Sequence, residues 1–170
     1  VFDPTYGDEF AEYADGTGTE ITDAAKIHIA TITDCFVELL QELNKSQFVI
    51  DQKHFQKPHL NVVISIDSRH TGPAIADIII RTLIFHHIKV RYTFITPITE
   101  LAVYSREVSN GFIYISASHN PKGYNGLKLG LDDGRLLPAK LASDFIKKYQ
   151  SRLRNKENTI PFNTKFFPGI

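Results

Sequence analysis

The sequence is organised around one stretch, Ser116 to Gly130, which reads Ser-Ala-Ser-His-Asn-Pro-Lys-Gly-Tyr-Asn-Gly-Leu-Lys-Leu-Gly. The apolar run Phe112-Ile113-Tyr114-Ile115 precedes it and has the composition of a buried strand. In open α/β sheets, ligands bind beyond the carboxyl ends of the parallel strands. The pattern therefore predicts that the strand delivers Ser118 to a ligand-binding edge of a sheet.

The second half of the stretch is expected to reverse the chain. The proline after Asn120 biases that residue away from the helical region, and Asn125-Gly126 favours a tight turn with positive φ angles. We expect this reversal to bring Lys128 back toward Ser118. A serine is a weak nucleophile by itself, and a nearby lysine can neutralise phosphoryl oxygens, so the pair is compatible with phosphate chemistry.

Two other interpretations use the same residues. A polar hairpin between two strands explains the stretch as well as a phosphate-binding loop does. A serine hydrolase is disfavoured, because consecutive residues of extended chain project to opposite sides, which places His119 badly as a base for Ser118. The Gly-x-Ser-x-Gly pattern of the hydrolase nucleophile is also absent from the sequence.

Outside this stretch, apolar runs of strand length alternate with segments of helical periodicity. Such alternation indicates βαβ crossovers and a sheet covered by helices on both faces. The predicted fold class is α/β, a three-layer α/β/α domain with a mixed, mostly parallel sheet of about four strands. The predicted strands include Asn61–Asp67, Ile88–Ile95 and Gly111–Ile115, and helices are expected to begin at Thr22 or Asp23, Pro73, Thr96-Pro97 and Pro138.

The same patterns predict the environment of individual residues in the helices. The apolar spacing of the first helix ends at Leu43, and Asn44–Leu60 is interpreted as a polar connection. Cys35 is expected to be a small core residue, because nothing near it in sequence would lower its pKa. Tyr104 is expected to point inward and Arg152 toward solvent.

His86 and His87 are adjacent in sequence, on a predicted helix. Adjacent helical residues face different directions, so a structural role is favoured over a metal site.

Composition limits the possible partners. The 170 residues contain 19 basic and 19 acidic side chains and a single cysteine, and no apolar run approaches the roughly 20 residues that cross a bilayer. We therefore expect no nucleic-acid partner, no membrane partner and a cytoplasmic location. The sequence starts at Val1 and has no methionine, so we expect the native N-terminus to lie upstream.

Three segments are predicted along the chain. Residues 1–21 are an acidic, glycine-containing arm, residues 22–154 form the folded domain, and residues 155–170 mix polar residues, proline and glycine without period. The last segment is interpreted as a linker or a stub leading to a further domain.

The stretch resembles the phosphoserine loop of the α-D-phosphohexomutases, the family of phosphoglucomutases and phosphomannomutases. That pattern is Thr/Ser-Ala-Ser-His-Asn-Pro, three residues, Asn-Gly, one residue, Lys, and every position from Ser116 to Lys128 matches. Asp67-Ser68-Arg69-His70-Thr71-Gly72 is similar to the family's Asp-x-Arg-x-Ser-Gly turn, and Thr96-Pro97 to its Thr-Pro helix start. The order of the three motifs fits the family's N-terminal domain.

The resemblance implies a role for each matching residue. Ser118 would be phosphorylated and would pass its phosphoryl group to the sugar phosphate, and the phosphate on Ser118 would be one ligand of Mg²⁺. His119 would assist proton movement and Lys128 would balance charge. Asn120 and Arg69 would bind substrate or phosphate. The implied reaction interconverts hexose 1-phosphate and hexose 6-phosphate, with hexose 1,6-bisphosphate as intermediate and activator.

Several family motifs are absent from these residues. They include the Phe-Gly-Thr-Ser-Gly-x-Arg opening, the Asp-Gly-Asp-x-Asp metal loop, the Gly-Glu-x-Ser-Gly sugar loop and the Arg-x-Ser-Gly-Thr phosphate loop. We therefore expect further domains of the same polypeptide to complete the site, and the isolated domain to be inactive. Two alternatives remain open: a non-catalytic sugar-phosphate-binding or regulatory domain, and part of a phosphoglucosamine-type mutase.

Overall fold

The computed structural model describes residues 21–50, 59–120 and 124–154. Nearly all of the predicted acidic arm and the predicted linker at 155–170 lie outside these residues. The helices and strands, in chain order, are α1 (Asp23–Ile50), β1 (Asn61–Ile66), α2 (Gly72–Phe85), β2 (Lys89–Ile95), α3 (Ile98–Val108), β3 (Gly111–Ile115), β4 (Leu127–Leu131) and α4 (Ala139–Arg154).

The strands form one mixed sheet in the order β2-β1-β3-β4. Strand β1 runs parallel to both β2 and β3, whereas β4 returns antiparallel to β3. Helices α2 and α3 are the crossovers between the parallel strands, and the carboxyl ends of β1 and β3 consequently lie side by side. The predicted fold class is confirmed.

Helices cover both faces of the sheet. Alternate residues of β1 and β3 (Val62, Ile64, Ile113 and Ile115 among them) pack against α1 and α2 in the larger core. The residues between them point to the other face, where Val63 and Phe112 pack against Leu101 of α3. Because successive strand residues face opposite sides, two separate cores follow from one short sheet.

Helix α1 is longer than the sequence pattern indicated. It continues past Leu43 to Ile50, so the prediction that a connection starts at Asn44 is wrong. The sequence between these residues contains no glycine or proline, and straight-chain polar residues such as Lys45 are compatible with a helix. The helix therefore continues beyond the last residue of the apolar spacing, Leu43.

The inward face of α3 also differs from the expectation. Leu101 and Ser105, one helical turn apart, are fully buried, whereas Tyr104 is 41% exposed. The Tyr104 hydroxyl accepts a hydrogen bond from Nη1 of Arg91, at 3.0 Å. The buried stripe of this helix is too narrow to include Tyr104, so the prediction that it points inward is wrong.

Arg152 of α4 was expected in solvent and instead packs against α1. Its guanidinium pairs with the buried carboxylate of Asp34 and, at 2.5 Å, with Glu38. Lys148, one turn earlier, pairs with the other oxygen of Glu38 at 2.8 Å. These ion pairs fasten α4 to α1, because the apolar face of α4 is only partly buried.

The two adjacent histidines lie just after α2 rather than on it. Helix α2 ends at Phe85, and His87 adopts a left-handed φ of 57°. His86 places its Nε2 atom 2.6 Å from Asp34 Oδ1. This contact links the end of α2 to α1, in agreement with a structural role for His86.

Gly130 in β4 lies directly opposite Phe112 in β3. A Cβ atom at Gly130 would overlap the Phe112 ring, so glycine at this position lets the ring lie flat over the strand. The contact holds β4, which carries Lys128, against the rest of the sheet.

Gly130→Ala is expected to lower the free energy of unfolding by about 1–3 kcal/mol, because the added methyl group overpacks the Phe112 ring. Urea denaturation measures the loss. In the Phe112→Leu background, the same glycine substitution should be less destabilising. Equal effects in both backgrounds would show that the ring is not the cause.

Cys35 is fully buried, and burial raises the pKa of its thiol to about 11. A buried, protonated thiol is a poor nucleophile. At about pH 8 the native chain is therefore expected to leave Ellman's reagent unreacted, whereas the chain in guanidinium chloride should react at its single thiol. Rapid reaction in native buffer would contradict the packing of α1.

Candidate active site

Ser118 lies three residues beyond the end of β3. The strand is buried along its whole length, and Ser116 and Ala117 after it are still buried. Exposure begins at Ser118 and continues through His119 and Asn120. The serine is thus the first residue of this segment that solvent can reach, at the carboxyl edge of the sheet.

The backbone of Ser118 is in the left-handed region, with φ of 57°. Few residues other than glycine adopt this region, and the cost is about 1 kcal/mol or more, so the surroundings must hold it there. Two hydrogen bonds contribute: the Ser118 amide donates to Ser116 Oγ at 3.0 Å, and the Asn120 amide donates to the Ala117 carbonyl at 3.1 Å. Together they form a tight turn that presents Ser118.

Arg69, from the segment after β1, binds the backbone of this turn. Its Nη2 donates to the carbonyls of Ser118 and Asn120, at 2.9 and 2.8 Å, and its Nη1 donates to the Tyr124 carbonyl at 3.1 Å. The structure therefore brings together three residues that the sequence predicted separately, Arg69, Ser118 and Asn120. The contacts of Arg69 are with the loop itself.

Asp67 directs Arg69 toward the loop. Its Oδ2 accepts from Arg69 Nε at 3.1 Å and its Oδ1 accepts from the Arg69 amide at 3.0 Å. The Asp67 amide in turn donates to the carbonyl of Ile115, the last residue of β3. Asp67 is therefore anchored to the same strand that leads to Ser118.

Asn125 ties the far end of the loop to helix α2. Its side-chain amide nitrogen donates to Thr71 Oγ1 at 3.0 Å, and its side-chain oxygen accepts from the Gly126 amide at 2.9 Å. Among the described residues, the positive φ angles belong to His87, Phe94, Ser118 and Gly134. The expected positive φ angles at Asn125-Gly126 are therefore wrong, because a side-chain hydrogen bond shapes this part of the reversal.

Lys128 lies opposite Tyr114, across the β3–β4 pair. Its ammonium nitrogen is 5.7 Å from the centroid of the Tyr114 ring, within the range of a cation–π contact. None of the carboxylates in the described ranges forms an ion pair with Lys128. In that part of the chain no neighbouring acid balances its charge. No hydrogen bond joins Lys128 to Ser118 among these residues.

Tyr114 is a site residue that the sequence analysis missed. It is 8% exposed, and burial, with a smaller contribution from the charge of Asp67, raises the pKa of its phenol, while a hydrogen bond with Ser116 opposes the increase. The phenol is therefore neutral at neutral pH. Tyr114 connects the Ser116 turn with Lys128, and only the register between β3 and β4 could have indicated this.

The described residues do not form a complete metal site. They contain no group of three His, Cys, Asp or Glu side chains placed to hold an ion. Magnesium prefers oxygen ligands in octahedral geometry. The charged side chain that contacts the backbone of Ser118 is Arg69, which is a cation and cannot bind a metal ion. These residues alone therefore do not fit a magnesium ion.

No helix in the described part of the chain is both long enough and apolar enough to cross a membrane.

Comparison with known proteins shows the family of the chain. The family model described as "Phosphoglucomutase/phosphomannomutase, alpha/beta/alpha domain I" matches residues 26–156. The chain belongs to the phosphoglucomutase/phosphomannomutase family. Ser118, Arg69 and Lys128 all lie within the matched residues.

Curated relatives include two staphylococcal phosphoglucomutases. The Staphylococcus epidermidis protein is 43% identical over 82 residues, which is 46% of this chain and 15% of that protein. The Staphylococcus aureus protein is 38% identical over 109 residues, 58% of this chain and 20% of that protein. The chain thus matches a fifth or less of the length of these relatives.

A solved structure shares the fold. The crystal structure of a phosphoglucomutase/phosphomannomutase family protein from Burkholderia thailandensis aligns with a TM-score of 0.53 and 18% identity, over 83% of this chain and 28% of that one. At this identity the likeness concerns the α/β fold only.

Thr71 gives a test of the observed loop anchor. Thr71→Val keeps the shape of the side chain but leaves the buried Asn125 amide without its acceptor, so the free energy of unfolding should fall by about 1–3 kcal/mol. Urea denaturation measures the change. Thr99→Val, at an exposed position of α3, is the matched control, and an equal effect of the two substitutions would contradict the anchor.

Proposed function

We propose that this chain is the phosphoserine-bearing domain of a phosphohexomutase, which interconverts hexose 1-phosphate and hexose 6-phosphate through a bisphosphorylated sugar. One observation carries the proposal: Ser118 is exposed at the carboxyl edge of the sheet and is held there in a left-handed conformation. A fixed, accessible hydroxyl is what a residue needs in order to carry a phosphoryl group between substrates.

In the proposed reaction, phosphorylated Ser118 meets a hexose monophosphate. The bond between Ser118 Oγ and phosphorus breaks, a bond between a sugar oxygen and phosphorus forms, and the proton of that sugar hydroxyl passes to His119. The resulting hexose 1,6-bisphosphate turns over and returns its other phosphoryl group to Ser118. The same bisphosphate would phosphorylate the resting serine, which makes it an activator.

Lys128 has the charge to assist this transfer. Phosphoryl transfer proceeds through a loose transition state with negative charge on the peripheral oxygens, and a positioned cation stabilises it. The Lys128 ammonium lies over the Tyr114 ring, 5.7 Å from its centroid, and Lys128 has no acidic partner within the described ranges. We assign Lys128 to charge balance and Asn120 to the binding of substrate or phosphate.

Magnesium belongs to the proposal as a component of the complete enzyme. When bound, it would neutralise charge on the transferred group, and the phosphate on Ser118 would supply one of its ligands. The other ligands would come from further domains of the same polypeptide, as would the contacts that select glucose, mannose or an amino sugar. The isolated domain would then be inactive, and the complete enzyme would act in the cytoplasm.

Ser118→Ala tests the proposal in the complete polypeptide that contains this domain. We expect mutase turnover with glucose 1-phosphate to fall by at least about a thousandfold, because the carrier oxygen is lost. Intact-mass analysis should show one phosphate on the unsubstituted protein after incubation with glucose 1,6-bisphosphate and none on the variant. Ser143→Ala, an exposed serine of α4, is the control.

A second candidate is a sugar-phosphate-binding domain without catalysis. The exposed Ser118, His119 and Asn120 at the sheet edge would also suit a site that binds a sugar phosphate without transferring its phosphoryl group. Binding of hexose phosphate with neither turnover nor phosphate on Ser118 in the complete polypeptide would support this candidate and contradict the first.

A further inference from the structure

Hydrogen bonds from the Arg69 guanidinium go to Asp67 and to the backbone of the loop that carries Ser118. A guanidinium has five N–H donors, and Arg69 uses at least four of them, on Asp67 and on the carbonyls of Ser118, Asn120 and Tyr124. Its side chain is only 18% exposed. A phosphate ligand needs donors that face the substrate, whereas these donors face the backbone.

The carbonyls that Arg69 binds come from two described stretches of the Ser118 loop. Ser118 and Asn120 lie before positions 121–123 and Tyr124 lies after them, at sequence separations of 49, 51 and 55 residues from Arg69. Hydrogen bonds from a charged donor are about twice as strong as neutral ones. One side chain therefore holds together described residues on both sides of positions 121–123, and none of these described residues lies in a helix or strand.

The same contacts restrain the strained serine from both sides. The Ser118 amide is bound by Ser116 Oγ and its carbonyl by Arg69, so both peptide groups around the left-handed φ are held. Without the Arg69 contact, the carbonyl is free to rotate and the serine can relax to an ordinary conformation. That relaxation would move the Ser118 hydroxyl away from its present position.

We infer that Arg69, oriented by Asp67, is a positioning residue for Ser118 rather than a ligand of the phosphate. This role replaces the phosphate-binding role that the family resemblance implies for Arg69, and its catalytic consequence depends on the proposed function. It requires the fork of a guanidinium, since a lysine ammonium cannot reach three divergent carbonyls and Asp67 together. It also requires the carboxylate of Asp67.

The substitutions Arg69→Lys and Asp67→Asn distinguish the two roles. If Arg69 bound the phosphate, lysine in its place would largely preserve binding. Loss of the negative charge of Asp67 would then strengthen phosphate binding. A positioning role predicts the opposite result: both substitutions release the loop. The two variants should therefore share one phenotype.

The first measurement is amide hydrogen exchange in the 170-residue chain. We expect the amides of Ser118 and Asn120 to exchange at least about tenfold faster in both variants, while amides of β1 and β3 keep their protection. The backbone ¹³C chemical shifts of Ser118 should also move away from left-handed values. Arg81→Lys, which alters an exposed Arg–Asp pair on α2, is the matched control.

Unchanged exchange at Ser118 in both variants would overturn the inference. Global unfolding of both Arg69→Lys and Asp67→Asn, while Arg81→Lys stays folded, would also overturn the inference. The Arg69–Asp67 pair would then support the whole fold and not the Ser118 loop. If Arg69→Lys alone fails to fold, Asp67→Asn decides the question.

The second measurement uses the complete polypeptide. Arg69→Lys is expected to lower kcat by about tenfold or more with little change in KM for hexose phosphate, and Asp67→Asn should do the same. A lower KM in Asp67→Asn would instead identify Arg69 as a phosphate ligand. If the loop responds as expected but the unsubstituted polypeptide has no mutase activity, the positioning role stands and the proposed function fails.

Discussion

Strand β1 is paired in parallel with β2 on one side and with β3 on the other, and the rest of the domain depends on this central position. Because β1 is covered on both faces and on both edges, its apolar residues supply both cores. Its carboxyl end lies beside that of β3. The segment that follows β1 therefore meets the segment that follows β3, and Asp67 and Arg69 come into contact with the loop of Ser118.

This arrangement separates the regular part of the site from the proposed phosphoryl carrier. Below the sheet edge, β1 and β3 are regular and almost entirely buried. Above it, Ser118, His119 and Asn120 are exposed, and side-chain hydrogen bonds from Arg69 and Asn125 hold the described loop residues. A phosphoryl carrier needs both properties, since the hydroxyl has to be accessible and must also stay in place while substrates exchange.

The apolar patterns in the sequence predicted the alternation of strands and helices and the sheet class, because burial imposes periodicity on each element separately. For two side chains the prediction was wrong because the decisive contact came from elsewhere in the chain. Arg152 is held by carboxylates of α1, and Tyr104 lies outside a buried stripe that only the packing of α3 defines. In each case a local pattern could not specify a partner.

The sequence by itself determined which residues carry the candidate chemistry, since the motif from Ser116 to Lys128 is contiguous and matches a family pattern. It also determined that this motif follows a buried strand. Only the tertiary structure decided how the motif is held. The contacts of Arg69 with the loop span about fifty residues of sequence, and the contact of Lys128 with Tyr114 depends on the strand register. Interactions between distant residues are set by topology and packing, and single-sequence patterns contain no direct record of them.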